Sequence, residues 1–337
     1  MKVVIAGFGT VGQGIAEVIG MRQELFSKSF GQQVKIVGAF DSSTIVKNAR
    51  GLDPVELVRR KASTGTVGTR KVDGGVKELI EEYDFDTLIE TTPTNILDAE
   101  PGYTHIMAAL GSGKNVITSN KGPLALRFRE LSKAAARNKV QLRYEASVGG
   151  AMPVINLSRE LLRGEEIFSL RGILNGTCNF ILNRMKDEGL PFEQALREAQ
   201  EMGIAERDPS YDIDGVDSAC KLAILANAIF GKDVTYNDVI RTGIRNITED
   251  AIALAGEQNK VIRLIGEINK DRLEVSPRMV PNGHPLAIGG TLNIVQLLTD
   301  LAGEVTVVGR GAGRKETASA ILSDLLAILS EDRAKGR

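Results

Sequence analysis

Tryptophan is absent from the chain, and aromatic residues make up only 4% of it. That composition excludes an aromatic stacking platform of the kind that binds single-stranded nucleic acid. Charge of one sign is not in excess either. The 42 Lys and Arg stand against 43 Asp and Glu, so no basic face for nucleic acid or an anionic membrane is implied. No apolar run reaches the roughly 18 residues that read as a membrane span. The N-terminus opens on a strand pattern and lacks a signal peptide's layout. The two cysteines, Cys178 and Cys220, make neither a disulfide framework nor a zinc site. Repeats and low-complexity tracts are missing. These absences lead to the expectation of a cytoplasmic protein. Its 337 residues, 42% of them hydrophobic, suffice for two domains with real cores.

What is present begins at once. Lys2–Ala6 is a short apolar run, the pattern of a strand buried on both faces. Gly7-Phe8-Gly9-Thr10-Val11-Gly12 follows, and an amphipathic segment from Gln13 continues it. This is G-x-G-x-x-G between a strand and a helix. The first glycine permits the tight turn, the second lets backbone approach a pyrophosphate, and the third allows close helix–strand packing. The plainer reading is a glycine-rich turn that binds nothing. Val34–Asp41 reads as a second strand ending in an acid. Asp41 is placed to take a ribose 2′-hydroxyl, or else caps a turn. Ser42 and Ser43, with Lys61 or Arg59, suit a 2′-phosphate instead, so NAD against NADP stays open.

Further strands are expected at 87–94 and 115–118. In a doubly wound sheet the carboxyl ends of strands face the ligand. Thr92 and Pro93 end one of these, and Ser119-Asn120-Lys121 ends the other. Leu126–Asn138 reads as a basic amphipathic helix and Val140–Glu145 as another strand. The small-residue turn from Ala146 to Pro153 marks a domain junction whose carbonyls suit a monovalent cation; the plainer reading is a hinge.

Beyond the junction, helices are expected at 154–162, 178–186, 192–202 and 259–268. Strands are expected at 167–174, 273–280, 292–297 and 305–308, forming an open sheet usable for pairing subunits. Gly309-Arg310-Gly311-Ala312-Gly313 then opens a last helix, 315–329. The organisation read from this is a nucleotide-binding domain over 1–150, a substrate and dimerisation domain over 151–304, and a segment 305–337 returning to the first.

Chemistry concentrates between Gly203 and Lys221. Glu206, Asp208, Asp212, Asp214 and Asp217 crowd into a stretch of turn formers, and an apolar helix follows. Asp208-Pro209 and Asp214-Gly215 predict a loop over 206–215. Asp217 and Lys221 stand four apart, on one helix face. Folding the loop back sets Glu206 beside Asp217, with Lys221 one turn deeper, in a gap between the halves of the molecule. Two carboxylates and an ammonium suit a small zwitterion with a reacting oxygen. A solvated acidic loop with a surface salt bridge is the plainer reading.

Taken together, Gly7–Gly12, Ser119–Lys121, Glu145–Pro153, Gly172–Thr177, Gly203–Lys221 and Gly311–Gly313 resemble the homoserine dehydrogenases, in the single-activity form without a regulatory extension. The resemblance covers nearly the whole chain. It implies an α/β protein: an N-terminal Rossmann-type doubly wound parallel sheet, then a second α/β domain on an open sheet through which family members pair as homodimers. It implies reversible NAD- or NADP-dependent reduction of L-aspartate 4-semialdehyde to L-homoserine, in threonine, methionine and isoleucine biosynthesis. Lys221 is then the general acid and base, with Lys121 a second cleft lysine. Glu206 and Asp217 hold the substrate's ammonium, helped by Gly203 and Asp212. Gly7 to Gly12, Asp41, Thr92, Pro93, Ser119, Lys121 and Gly313 face the cofactor, and Glu145, Val148, Gly150 and Met152 match a sodium site. An aspartate-semialdehyde dehydrogenase would need a thiolate, which Cys178 and Cys220 in apolar helices do not suit. A non-catalytic dinucleotide sensor is the other alternative.

Overall fold

The computed structural model describes residues 1–72, 75–82 and 84–334. The chain divides into two compact units, Met1–Gly150 with Gly313–Arg337, and Ala151–Ala312.

The first unit is a seven-stranded sheet in the order β4-β3-β2-β1-β5-β6-β7. Its elements are β1 (Lys2–Ala6), α1 (Thr10–Met21), α2 (Gln23–Phe30), β2 (Lys35–Phe40), β3 (Thr44–Lys47), α3 (Pro54–Thr64), β4 (Arg70–Lys71), α4 (Gly75–Glu82), β5 (Thr87–Glu90), α5 (Gly102–Gly111), β6 (Asn115–Thr118), α6 (Lys121–Asn138) and β7 (Leu142–Arg143). Strands β2, β1, β5, β6 and β7 run parallel, while β3 and β4 close one edge antiparallel. With β2 on one side of β1 and β5 on the other, the strand order reverses at β1, the point where such sheets take ligands. Helices cover the strands, so Val3, Val4, Ile5 and Ala6 are wholly buried and read as an unbroken apolar run.

A C-terminal helix (Arg314–Ala334) returns to this unit. Its Ala318, Ile321, Leu325, Ile328 and Leu329 share one core with Ile15 and Ile19 of α1 and Phe26 of α2.

The second unit holds α7 (Val154–Asn156), continued by a π turn over Leu157–Leu161, then β8 (Ile167–Ile173), α8 (Gly176–Glu188), α9 (Phe192–Glu201), α10 (Ser210–Ile213), α11 (Val216–Phe230), β9 (Ile240–Arg241), α12 (Glu249–Glu257), β10 (Lys260–Ile268), β11 (Leu273–Pro281), β12 (Leu292–Thr299) and β13 (Glu304–Arg310). Its six-stranded sheet runs β13-β12-β8-β10-β11-β9 and is antiparallel except where β9 joins β11.

Several expectations need correcting. The expected helix at 259–268 is instead strand β10, Lys260–Ile268. Val261, Leu264, Ile265 and Ile268 have helical spacing, but β10 is an interior strand paired to both β8 and β11. Being buried on both faces, it takes apolar residues at most positions, and β-branched Val and Ile favour it. Arg263 on this strand is 1% exposed and donates to the carbonyls of Ile262, Ala287 and Ile288 and to Asn183. Burial lowers its guanidinium to about 10.

The segment 305–337 is not one returning piece. Residues 304–310 pair with β12 in the second sheet, and the return begins at Gly313. The acidic loop contains the turn of helix α10, and α6 starts five residues earlier than expected, at Lys121. The strand expected at 140–145 shrinks to Leu142–Arg143, and Glu145–Ser147 turn into a short 3-10 helix.

Candidate active site

In the first unit, β1 ends in the glycine turn and α1 begins at Thr10. Gly7 has φ +89°, and a Cβ there would stand 2.6 Å from the Thr92 nitrogen, so only glycine fits. A Cβ on Gly12 would meet the Gly7 carbonyl at 2.2 Å, whereas one on Gly9 would meet nothing within 4 Å. The third glycine therefore serves packing within the protein, and the second faces open space. Gly9 is the N-cap of α1 and offers no side-chain cap to the first helical N–H groups, which is the arrangement that receives an anion. Phe8 departs from expectation in one respect. Its side chain is fully buried in the core, which leaves only its backbone near the turn, and that N–H donates to the Phe40 carbonyl.

Asp41 follows β2 directly and is heavily engaged. Oδ1 accepts from the N–H groups of Ser43 and Thr44 and the Thr44 hydroxyl; Oδ2 accepts from Lys61 Nζ at 2.7 Å and the Val67 N–H. Burial alone would raise the carboxyl, but Lys61 and the backbone donors outweigh it and hold it at about 2. Thr92, half-buried, and Pro93, exposed, follow β5; Ser119 follows β6 and Lys121 opens α6. Gly313, φ +135°, starts the returning helix.

In the second unit, α11 presents Asp217 and Lys221 one turn apart. They are 4% and 7% exposed, with Nζ and Oδ2 separated by 2.7 Å. Lys221 Nζ also donates to the Leu174 carbonyl at 2.7 Å. An ammonium has three protons, so the third N–H is uncommitted among the described residues. Asn175 Nδ2 bridges Asp212 Oδ1, at 2.7 Å, and Asp217 Oδ2, at 2.9 Å. Asn293 Nδ2 donates to the same Leu174 carbonyl at 3.0 Å. Such a network keeps a buried ion pair affordable, because the carboxylate and the ammonium each have hydrogen bonds beyond the one they share.

Glu206 is not joined to this pair. It is exposed and makes no side-chain hydrogen bond among the described residues, and the second carboxylate at the cluster is Asp212, brought in through Asn175. Gly203, φ +69°, ends α9, with its N–H on the Gln200 carbonyl. Cys178 lies beneath, wholly buried. Burial, with Asp212 and Asp217 nearby, pushes its thiol well above the ordinary range.

Two family models match: the homoserine dehydrogenase NAD-binding domain over residues 7–145, and the homoserine dehydrogenase domain over residues 153–326. A homoserine dehydrogenase of Methanocaldococcus jannaschii is 47% identical, covering 99% of this chain and 100% of the relative. The chain belongs to the homoserine dehydrogenase family. An NAD(+)-dependent homoserine dehydrogenase of Pseudomonas canavaninivorans is 40% identical over 97% of this chain and 96% of its own. Among solved structures, a protein assigned as homoserine dehydrogenase from Archaeoglobus fulgidus superposes with a TM-score of 0.91 at 47% identity, covering 98% of this chain and 99% of that one. A hyperthermophilic archaeal homoserine dehydrogenase in complex with NADPH gives 0.85 at 30% identity, covering 98% of both. The family's members are NAD(P)-dependent oxidoreductases, and the parallel sheet is where this chain carries the matching nucleotide-binding domain.

Asn175, Asn293 and the Leu174 carbonyl escaped the reading of the sequence. The only signal was Asn175-Gly176-Thr177, which reads as a helix cap, and Asn175 Oδ1 does accept from the Cys178 N–H. Its bridging amide has no sequence pattern. Glu145, Val148 and Gly150 are buried in the first unit, and Met152 is buried in the second. Among the described residues, no group of three or more His, Cys, Asp or Glu is placed to hold a metal ion, and no helix is long and apolar enough to cross a membrane.

Proposed function

We propose that the protein interconverts L-aspartate 4-semialdehyde and L-homoserine, with the first unit holding NAD or NADP and the second the substrate. The observation that carries this is the uncommitted N–H of Lys221, on a buried ammonium fixed at its other two protons. The nicotinamide, when bound, supplies or accepts the hydride. As negative charge grows on the aldehyde oxygen, the free N–H of Lys221 stabilises it and gives it a proton; in oxidation Lys221 takes that proton back. The exposed Glu206 takes the substrate's ammonium, with Asp217, Asp212 and the backbone at Gly203 completing that end. Lys121 stands at the carboxyl end of the sheet as a second cation for substrate or cofactor.

The cofactor's pyrophosphate is proposed to lie on the Gly7–Gly12 turn. The open space over Gly9 supports this. Asp41, Thr92, Pro93, Ser119 and Gly313 would contact the rest of it. The oxygens of Glu145, Val148 and Gly150, with Met152, suit a hard monovalent cation and are proposed as a sodium site. Pairing through the second unit's sheet as a homodimer, a cytoplasmic location, and service to threonine, methionine and isoleucine synthesis belong to the same reading. An acyl-enzyme route through a thiolate is disfavoured by the burial of both cysteines.

The test is absorbance at the reduced-nicotinamide band, with homoserine and NAD or NADP in turn. Turnover with either cofactor is expected. No change with both would end the proposal.

A further inference from the structure

Glu90, the last residue of β5, is wholly buried in the first unit and belongs to none of the roles above. A buried carboxylate must be surrounded by donors, and this one is. Oε1 accepts from the Thr92 N–H at 3.0 Å and from the Thr92 hydroxyl in a short contact, and Oε2 accepts from the Thr118 hydroxyl at 2.9 Å. The Thr118 oxygen in turn accepts from the Asn120 N–H at 3.0 Å. Asn120 Nδ2 donates back across to Thr92 Oγ1 and the Pro93 carbonyl. Its Oδ1 caps α6 through the Gly122 N–H. His105 Nδ1, buried without a hydrogen-bond partner among the described residues, faces the same carboxylate at 4.0 Å, its ring edge-on to Phe40.

The circuit closes over one feature. Strands β5 and β6 pair in register, Glu90 beside Thr118, and both leave the sheet there. The segments they lead into are Thr92-Pro93 and Ser119-Lys121. Neutral side chains would hold either segment alone. One acceptor-only group fed by donors from both fixes their separation.

We infer that Glu90 is a positioning residue for the nicotinamide end of the cofactor, acting through Thr92 and Asn120 rather than by contact. The inference rests on the proposed reading that these two segments meet the cofactor. A glutamine is nearly the same shape but carries one acceptor and two donors. In that site, already full of donors, at least one hydroxyl loses its acceptor, and the circuit opens.

Glu90→Gln, Thr118→Val and Thr118→Ser test this, read by fluorescence titration with NADH or NADPH and by competition with ADP-ribose, which has the pyrophosphate but no nicotinamide. The first two variants are expected to weaken reduced-cofactor binding about tenfold while ADP-ribose stays within about twofold. Thr118→Ser, which keeps the hydroxyl, retains wild-type binding. The Thr118 variants carry the test if Glu90→Gln does not fold. Wild-type affinity in both Glu90→Gln and Thr118→Val, or equal loss of ADP-ribose, overturns the inference alone. A wild-type protein that binds no reduced cofactor overturns the underlying reading as well.

Discussion

Asp217 and Lys221 face each other across a single turn of α11, Oδ2 to Nζ at 2.7 Å, and both are held from outside the helix. Asn175 grips the carboxylate and the Leu174 carbonyl grips the ammonium. The lysine therefore keeps one defined direction for its remaining proton, which is the preorganisation a proton donor needs.

Removing that donor is the sharpest check on the chemistry. Lys221→Ala is expected to lower kcat by about 10²–10⁴-fold with cofactor affinity little changed. Steady-state rates beside a cofactor titration measure both. An unchanged kcat removes Lys221 from its proposed role.

Asn175 has two duties that one substitution separates. Serine keeps the N-cap of α8 but is too short to bridge Asp212 and Asp217. Asn175→Ser should lower the thermal midpoint modestly, since the buried Asp217 loses a donor, and lower kcat/KM about tenfold. Loss of stability with unchanged kinetics would make the bridge purely structural.

Gly9 and Gly12 sit in one motif but should fail differently. A side chain at Gly12 collides with the Gly7 carbonyl, while one at Gly9 meets no protein atom. Gly12→Val is expected to unfold at lower temperature. Gly9→Val should keep its Tm and lose cofactor affinity at least about tenfold. Equal thermal loss in both would argue against a ligand over Gly9.

The depressed carboxyl of Asp41 links to acid stability. Its folded pKa, about 2, lies below the ordinary aspartate value of 3.8. The contribution is therefore present above pH 3.8 and is lost as pH falls toward 2. Lys61→Met should make acid unfolding in that window shallower, since the native state then holds its carboxylate less tightly. A denaturant series from neutral pH downward shows it. Identical pH dependence in the variant would contradict the assigned cause.

The thiols offer a contrast with the acyl-enzyme alternative. With Cys178 pushed up by burial and Cys220 equally buried, the folded protein should react with a thiol reagent only after unfolding. Cys178→Ser with Cys220→Ser should still oxidise homoserine. Rapid labelling coupled to loss of turnover would revive the thiolate route.

Legibility followed how local each cause was. The glycine turn was readable because strand, turn and helix adjoin in sequence. Asp217 and Lys221 were readable because a four-residue spacing fixes a helix face. Residues 260–268 were misread because an interior strand's apolar content mimics a helix when its partners, distant in sequence, are unknown. Asn175 and Glu90 were missed for a related reason. Their significance lies in hydrogen-bond partners 28 to 42 positions away, and a lone Asn or Glu announces none of them.

The helix that completes the first core is synthesised long after the helices it packs against. On the ribosome, Ile15, Ile19 and Phe26 emerge some three hundred residues before Ile321, Leu325 and Ile328. Until then their apolar face stays wet or is sheltered by something else. Nascent chains arrested before Gly313 should consequently be sticky at the amino-terminal end even when the inserted second unit has already condensed.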